Sequence, residues 1–375
     1  MKKILAFMLS LMLLIGLVPC TGVAESKPVT VVTTIFPIYD WARQIIGENE
    51  NTNLVLLLDN GVDLHSYQPS AQDIMTISTA DLFIYVGGES DEWVEDVLES
   101  AMNPDLVSIS LTEAMGEDLK LEEIVEGMEH EHDHDHDHDH EEDEDHDHEH
   151  EEEEDHDHDH EDEDHDHEED HDHEEEHDED HDHDEEHDHG HDHEHEEEYD
   201  EHVWLSLRNA RKLTAAIAKA LAGIDAANAE AILANAADYD AKLQELDAKY
   251  TEAVDNAALK TVLFADRFPF RYLADDYGLT YFAAFTGCSA ESEASFATIA
   301  FLAGKTDELN LPAVLTIEGG NHKIADTVIA TASNPDRKVL TMNSMQSVTA
   351  EDVENGMTYL SMMEENLTVL KEALN

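Results

Sequence analysis

Basic residues are scarce in this sequence. Its 375 residues include 19 Lys and Arg against 92 Asp and Glu, which gives a formal net charge of −73. Proteins that bind nucleic acids neutralise phosphates with clustered Lys and Arg, so this balance excludes nucleic acid as a partner. The same excess of negative charge argues against an anionic membrane surface as the main partner. A cation is the natural ligand for such a chain.

Cysteine is rarer still. Cys20 and Cys288 are the only two in the chain, so no disulfide framework holds the fold together. The sequence also lacks the G-x-S-x-G pattern and any glycine-rich phosphate-binding loop, and we therefore expect a protein that is not an enzyme. Cys288 stands in Gly287-Cys288-Ser289 without a paired histidine signature, which indicates a small buried residue rather than a nucleophile.

One tract holds most of the histidine. Residues 129–198 contain 24 of the 27 histidines and, apart from Gly190, only Asp and Glu. With no apolar side chain to bury, the tract cannot offset the loss of chain entropy, and we expect it to be disordered. A run of Asp and Glu alone would be a solvated spacer, but imidazole is a good ligand for zinc, copper and nickel. Neighbouring carboxylates should raise the pKa values of these histidines, so the predicted metal sites are weak, multiple and lost on acidification.

The first residues predict export. An apolar run from Ile4 to Val18 follows a short basic start, and it is too short for a typical membrane span but suits the core of a signal peptide. A small-residue cleavage site ends at Ala24, and a lipoprotein-like box ends at Cys20. We expect a signal peptide over residues 1–24 and a protein at the cell surface or in the periplasm. Lipid anchorage at Cys20 remains the alternative to a free mature chain.

Strand and helix patterns alternate on both sides of the tract. The predicted strands are Val29–Thr34, Leu54–Leu58, Leu82–Val86, Val107–Ile109, Lys260–Phe264, Thr280–Ala284, Ala313–Thr316 and Val339–Thr341. Single helices between consecutive strands imply parallel sheets with helices on both faces. The predicted class is therefore α/β, with two doubly wound lobes.

Long helices follow the tract. Ala226–Ala253 has no Pro or Gly and would extend about 40 Å at 1.5 Å per residue, which is too long for a small lobe. We interpret it as a spine helix that joins the two lobes, and we predict one terminal helix over Val353–Leu374. The predicted domains are a signal peptide (1–24), an N-terminal lobe (25–128), the His/Asp/Glu-rich tract (129–198), the end of the N-terminal lobe with the spine helix (199–257) and a C-terminal lobe (258–375).

Two of the three histidines outside the tract lie in recognisable segments. His65 follows a predicted strand and a Gly-containing turn, at the strand end where α/β sheets bind ligands. Residues 58–87 around it resemble the metal-specific solute-binding proteins of bacterial ABC importers, in particular the zinc and manganese group. In that family the histidine of H-x-Y-[EQ]-P is a metal ligand, and this motif is present as H-S-Y-Q-P from His65. The segment D-E-H-V-W-L, which contains His202, resembles the family's D-P-H-V-W-L, with Glu201 in place of proline.

The resemblance leaves the other ligands open. The family usually has a histidine or a glutamate at the start of a helix ending Y-L-A-D-x-Y-G-L, and here the nearest donor is Asp266, which is equally explained as a helix cap. The family's fourth position, an aspartate, falls near Asn343. Glu318 and His322 follow another predicted strand and are alternatives, although His322 also fits a surface or helix-start histidine.

Zinc takes about four ligands at roughly 2.0–2.2 Å from nitrogen or oxygen, so the second lobe must supply at least one donor. A carboxylate there would favour manganese, whereas the imidazoles of the tract favour zinc. The predicted metal ligands are His65, His202, Asp266, Glu318 and His322. The resemblance implies a monomeric zinc receptor that delivers its ion to the membrane permease of an ABC importer. The alternatives are a manganese receptor of the same family, or a secreted metal buffer or metal-dependent adhesin without a transport role.

Overall fold

The computed structural model describes residues 27–128, 198–289 and 293–375. The predicted signal peptide and the His/Asp/Glu-rich tract, except its last residue, lie outside the described residues. Within the described ranges, no helix is both long enough and apolar enough to cross a bilayer.

The first lobe is built on a four-stranded parallel sheet. Its strands are β1 (Val29–Thr33), β2 (Thr52–Leu56), β3 (Leu82–Tyr85) and β4 (Val107–Ser110), in the order β2-β1-β3-β4. Its helices are α1 (Phe36–Ile46), α2 (Ala71–Ser78), α3 (Trp93–Glu99) and α4 (Leu111–Met115). The order reverses beside β1, and the carboxyl ends of the strands on either side of such a reversal form a crevice that binds ligands in doubly wound folds.

The second lobe repeats this topology. Its strands are β5 (Thr261–Arg267), β6 (Thr280–Phe285), β7 (Ala313–Ile317) and β8 (Lys338–Met342), all parallel and in the order β6-β5-β7-β8. Helices α5 (Leu207–Ile224) and α6 (Ala229–Asn256) precede this sheet, and α7 (Arg271–Tyr277), α8 (Phe296–Glu308) and α9 (Lys323–Thr331) lie between its strands. The predicted α/β class with two doubly wound lobes is confirmed.

The chain ends in two helices rather than one. These are α10 (Ala350–Glu354) and α11 (Tyr359–Ala373), so the prediction of a single helix over Val353–Leu374 is wrong. Gly356 between them has a φ of 91°, a left-handed conformation that stops an α-helix. The Thr358 side chain then accepts a hydrogen bond from the Ser361 backbone N–H and starts the second helix as its N-cap.

Helix α6 is the predicted spine. Its 28 residues extend about 42 Å at 1.5 Å per residue, and it packs against α5, against α1 of the first lobe and against α11 after the second sheet. The Asn235 side chain donates a hydrogen bond to the carbonyl of Ile45 (3.1 Å), and the Tyr250 hydroxyl donates one to the carbonyl of Met363 (2.7 Å). The spine is therefore fixed to both lobes.

A buried polar network also joins the lobes. Trp204 is fully buried, and its indole N–H donates to the carbonyl of Ser344 in the second lobe (2.9 Å). The hydroxyl of Tyr359 donates to the carbonyl of Trp204 (2.6 Å), while the Tyr359 backbone N–H donates to the buried carboxylate of Asp40 (2.8 Å). These bonds join the segment around Trp204 to the loop after β8 and to helix α11, which is in turn bonded to helix α1.

Candidate metal centre

His65 lies in a 3-10 turn, Leu64–Ser66, after β2. Leu64 is fully buried and anchors the turn, and the Asp63 carboxylate accepts a hydrogen bond from the His65 backbone N–H (3.0 Å). The Nδ1 atom of His65 lies 2.7 Å from the Ser90 hydroxyl, in the loop after β3. This contact orients the ring and leaves Nε2 to face the gap between the lobes.

His202 is fully buried at the start of a second 3-10 turn, Val203–Leu205. The Asp200 carboxylate accepts a hydrogen bond from the His202 backbone N–H (2.8 Å) and lies 3.1 Å from its Nδ1 atom. A carboxylate beside Nδ1 favours a proton there, which fixes the ring and makes Nε2 the atom that can bind a metal.

The departure from the family pattern at Glu201 has a structural role. Its carboxylate is buried and accepts a hydrogen bond from the Ser90 backbone N–H (3.0 Å). It packs on Gly88, where an added Cβ would come within 2.3 Å of the Glu201 carboxylate. Glu201 therefore holds the loop whose hydroxyl contacts His65 against the segment that carries His202.

The two histidines form a pair. Their Nε2 atoms are 3.3 Å apart. Two nitrogens that bind one zinc ion tetrahedrally at about 2.0–2.1 Å lie about 3.3 Å apart, so the observed separation fits a shared ion. Burial, together with the neighbouring His202, lowers the pKa of His65 to about 3. Its imidazole is therefore neutral at physiological pH, which is the state that binds metal.

Gln346, in the loop after β8, reaches the pair from the second lobe. Its side chain is buried, and Nε2 lies 2.6 Å from His202 Nε2 and 3.1 Å from His65 Nε2. Rotation of the amide about its last bond would turn the oxygen toward the histidines, because the amide carries an acceptor on one side and donors on the other.

Cys288 also meets the histidines, in the loop after β6. One candidate ligand atom from each of His65, His202 and Cys288 lies within 4.8 Å of the other two. Burial raises the pKa of the Cys288 thiol. The sequence around this cysteine predicted an ordinary small buried residue. Its place a few residues after a predicted strand, at the ligand-binding edge of a parallel sheet, could have marked it as a candidate ligand.

Asp266, Glu318 and His322 lie in an adjoining cleft of about 550 Å³, which His65 also lines. Within the described residues, none of the three belongs to the cluster around the histidine pair. Asp266 accepts hydrogen bonds from the backbone N–H groups of Arg267 (2.9 Å) and Ile317 (3.2 Å). Their role as ligands stays a prediction.

Glu318 and His322 have partners of their own. The Glu318 carboxylate accepts hydrogen bonds from the Ser344 N–H (2.7 Å) and hydroxyl (2.6 Å), and from the Gln346 N–H (3.2 Å). Nδ1 of His322 lies 2.9 Å from the Thr316 hydroxyl. Glu318 therefore organises the loop that presents Gln346, a function that its residue type did not predict.

Two doubly wound lobes on a helical spine, with a pair of imidazoles from the first lobe that face loops of the second, define a two-lobed solute-binding protein. The chain belongs to the family of zinc-uptake complex component A, periplasmic, whose model matches residues 31–373.

Similarity to individual proteins supports the same family assignment. The chain is 30% identical over 373 residues to the zinc-binding lipoprotein AdcA of Streptococcus pneumoniae, covering 99% of this chain but 61% of that protein's length. It is 28% identical over 355 residues to the high-affinity zinc uptake system protein ZnuA of Bacillus subtilis, covering 94% and 90% of the two chains. The crystal structure of the Zn(II)-bound ZnuA-like domain of Streptococcus pneumoniae AdcA superimposes with a TM-score of 0.62 at 26% identity, over 92% of this chain and 98% of that domain.

Proposed function

We propose that this protein is an exported zinc receptor that delivers its ion to the membrane permease of an ABC importer. The observation that carries the proposal is the pair of His65 and His202, whose Nε2 atoms are 3.3 Å apart in a member of a zinc-uptake family. The named relatives are zinc-binding and zinc-uptake proteins, which supports zinc as the ion. The export signal predicted over residues 1–24 fits a receptor that works outside the cytoplasm.

The geometry accounts for capture of the ion. Both Nε2 atoms are already at the separation of a tetrahedral zinc pair, so little reorganisation is needed when zinc enters. Asp200 lies beside His202 and favours the positive charge that arrives with the ion. Loops of the second lobe lie on the other side of the pair, and the Gln346 side chain reaches both rings.

Release of zinc would require the loops of the second lobe to move away from the histidine pair. Because α6 packs on helices of both lobes, we expect a small tilt of one lobe rather than a wide hinge opening. The His/Asp/Glu-rich tract would hold further zinc weakly near the receptor and raise its local concentration.

A binding experiment tests the histidine pair. His65→Ala and His202→Ala each remove one of about four ligands, and each should weaken tight zinc binding by at least a hundredfold in the full chain. The measurement is competition with a strong zinc chelator at concentrations that empty the weak sites of the tract. Asp240→Asn, which alters a carboxylate paired with Arg211, is the control and should keep the affinity of the parent. If both pair variants retain the affinity of the parent, the proposed site is wrong.

A transport experiment separates a receptor from a secreted metal buffer or an adhesin. Cells that lack the protein should grow poorly when zinc is chelated, and the wild-type chain should restore growth and zinc accumulation. The chain with both His65→Ala and His202→Ala should restore neither, even though it keeps the tract. Equal rescue by that variant would favour buffering by the tract over delivery from the histidine pair.

A further inference from the structure

We propose that Cys288 is the zinc ligand contributed by the second lobe, and that it binds as a thiolate together with His65 and His202. The inference rests on the proposed zinc site. Among the described residues, these three form the cluster whose candidate ligand atoms all lie within 4.8 Å of one another. Histidine nitrogen and cysteine sulfur are both common ligands of tetrahedral zinc, so these three atoms could fill three positions and leave a fourth for water or an amide oxygen.

The backbone holds Cys288 at this place. The preceding residue, Gly287, packs directly on the ring of His202, where an added Cβ would lie 3.0 Å from Cε1 and 3.0 Å from the carbonyl oxygen of Phe268. The Cys288 backbone N–H donates a hydrogen bond to the Glu122 carboxylate (3.0 Å). Glycine before the cysteine therefore allows the loop to lie close enough to bring the sulfur to the histidine pair.

Among the described residues, the competing donors of the second lobe lie outside this cluster and have partners of their own. The Asp266 carboxylate accepts two backbone hydrogen bonds, and the Glu318 carboxylate accepts three hydrogen bonds that shape the loop after β8. His322 contacts the Thr316 hydroxyl through Nδ1. Because their ligand atoms are not within the 4.8 Å cluster, any of them would have to move to join the histidine pair, whereas Cys288 is already in the cluster.

Binding by Cys288 is an exchange of a proton for a metal ion. Zinc forms a bond to sulfur, the S–H bond breaks, and the proton leaves to solvent, with no change in oxidation state. The thiolate supplies one negative charge to a site whose two imidazoles are neutral ligands. A sulfur donor also selects zinc over manganese, because thiolates favour soft and borderline ions. The selectivity would then reside in the folded site as well as in the tract.

Cobalt substitution tests this assignment in the full chain. With Cys20→Ser as background, Cys288 is the only thiol, and the tract contains none. One equivalent of Co²⁺ should produce sulfur-to-cobalt charge-transfer absorption in the near ultraviolet, and Cys288→Ser should abolish it. Asp240→Asn, the control, alters a carboxylate paired with Arg211 and should retain the absorption. Absence of the band in the parent, or its persistence in Cys288→Ser, would overturn the proposal.

Two further measurements distinguish the loss of a sulfur ligand from misfolding of the Cys288→Ser variant. X-ray absorption at the zinc edge of the parent with one equivalent of zinc should show a sulfur neighbour at about 2.3 Å. Zinc should also slow alkylation of Cys288 by iodoacetamide at least tenfold, and His65→Ala should remove that protection. If His65→Ala and His202→Ala weaken zinc binding but no sulfur neighbour is seen, the receptor site stands and the thiolate ligand is wrong. If the histidine variants keep full affinity, the proposed function itself fails.

Discussion

At the scale of single residues, the site depends on groups that orient the histidines as much as on the histidines themselves. Ser90 contacts Nδ1 of His65, and Asp200 contacts Nδ1 of His202. Both contacts point the remaining ring nitrogen at the space where an ion would bind. Asp200 is the more consequential of the two, because its carboxylate is almost fully buried and lies beside a fully buried imidazole.

Replacing Asp200 by Asn should keep the side-chain shape but remove the charge beside Nδ1. The ring of His202 then loses a strong acceptor, and zinc affinity should fall by about 10–100-fold, as is usual for groups that support a metal ligand. Chelator competition measures the affinity, and thermal unfolding checks that the fold persists. Asp240→Asn, which alters a carboxylate paired with Arg211 away from the site, should leave zinc binding unchanged.

Gln346→Glu should have the opposite effect. A carboxylate between the two Nε2 atoms is a stronger oxygen donor than an amide and adds a negative charge, so zinc should bind at least tenfold more tightly. The zinc-free variant should unfold at a lower temperature than the parent, because it buries an uncompensated charge. Calorimetry with and without zinc tests both effects. Unchanged affinity would show that this side chain stays outside the coordination sphere.

The sequence predicted some of these residues and not others, for a physical reason. His65 and His202 stand in local motifs, so their neighbours along the chain identify them. Cys288 and Gln346 each follow a strand, which marks the edge of the sheet where ligands bind. They reach the histidines only because the loops after β6 and β8 converge there, and no local pattern predicts that convergence.

At the scale of elements, the loop after β6 shows how a strand end becomes a binding edge. Strand β6 ends at Phe285, and the chain passes Gly287 against the ring of His202 before it reaches Cys288. A side chain at Gly287 would push the loop after β6 away from the ring of His202. The absence of a Cβ atom at this position is therefore part of the binding geometry.

Gly287→Ala should weaken zinc binding without unfolding the protein. The added Cβ would lie 3.0 Å from the ring of His202 and 3.0 Å from the Phe268 carbonyl oxygen, so the loop or the ring must move. We expect at least a tenfold loss of affinity by chelator competition. Gly304→Ala is the matched control: nothing lies within 4 Å of its added Cβ, and alanine is favoured inside α8, so zinc binding should not change.

The strands and helices were predictable wherever a single extended or helical pattern of apolar residues dominates the segment. Eight β-branched or apolar runs became eight strands, because buried parallel strands need continuous apolar sequence. The short helices α3 and α4 were missed, since one or two turns carry little periodicity. The terminal segment was predicted as one helix because its apolar spacing continues across the left-handed turn at Gly356.

At the scale of the whole molecule, the described residues just before and just after the tract lie side by side. Leu121 pairs with Tyr199 in an isolated antiparallel bridge. The Glu122 backbone N–H donates to the carbonyl of Glu198 (2.8 Å), and the Asp200 N–H donates to the carbonyl of Lys120 (2.9 Å). The segments on either side of the tract are thus hydrogen-bonded to each other.

Deleting residues 129–197 should therefore leave a folded receptor with its tight site, and it keeps Glu198 for the flanking contact. Titration calorimetry should show the weak, multiple zinc sites disappear while one tight site remains. The matched control is a chain of the original length in which each tract histidine is replaced by glutamine, which should lose the same weak sites. Disappearance of the tight site in both chains would place it in the tract.

The spine helix has a consequence for affinity that lies far from the ion. In the proposed site each lobe alone supplies only part of the ligand set, so tight zinc binding would require one particular separation of the two parts. Helix α6 sets that separation through its contacts with α1 and α11. Substitutions at its buried positions, such as Leu243 or Leu246, should then change the rate at which zinc leaves without touching a ligand. In the proposed site, the affinity for zinc would therefore depend partly on the stiffness of a helix about 42 Å long.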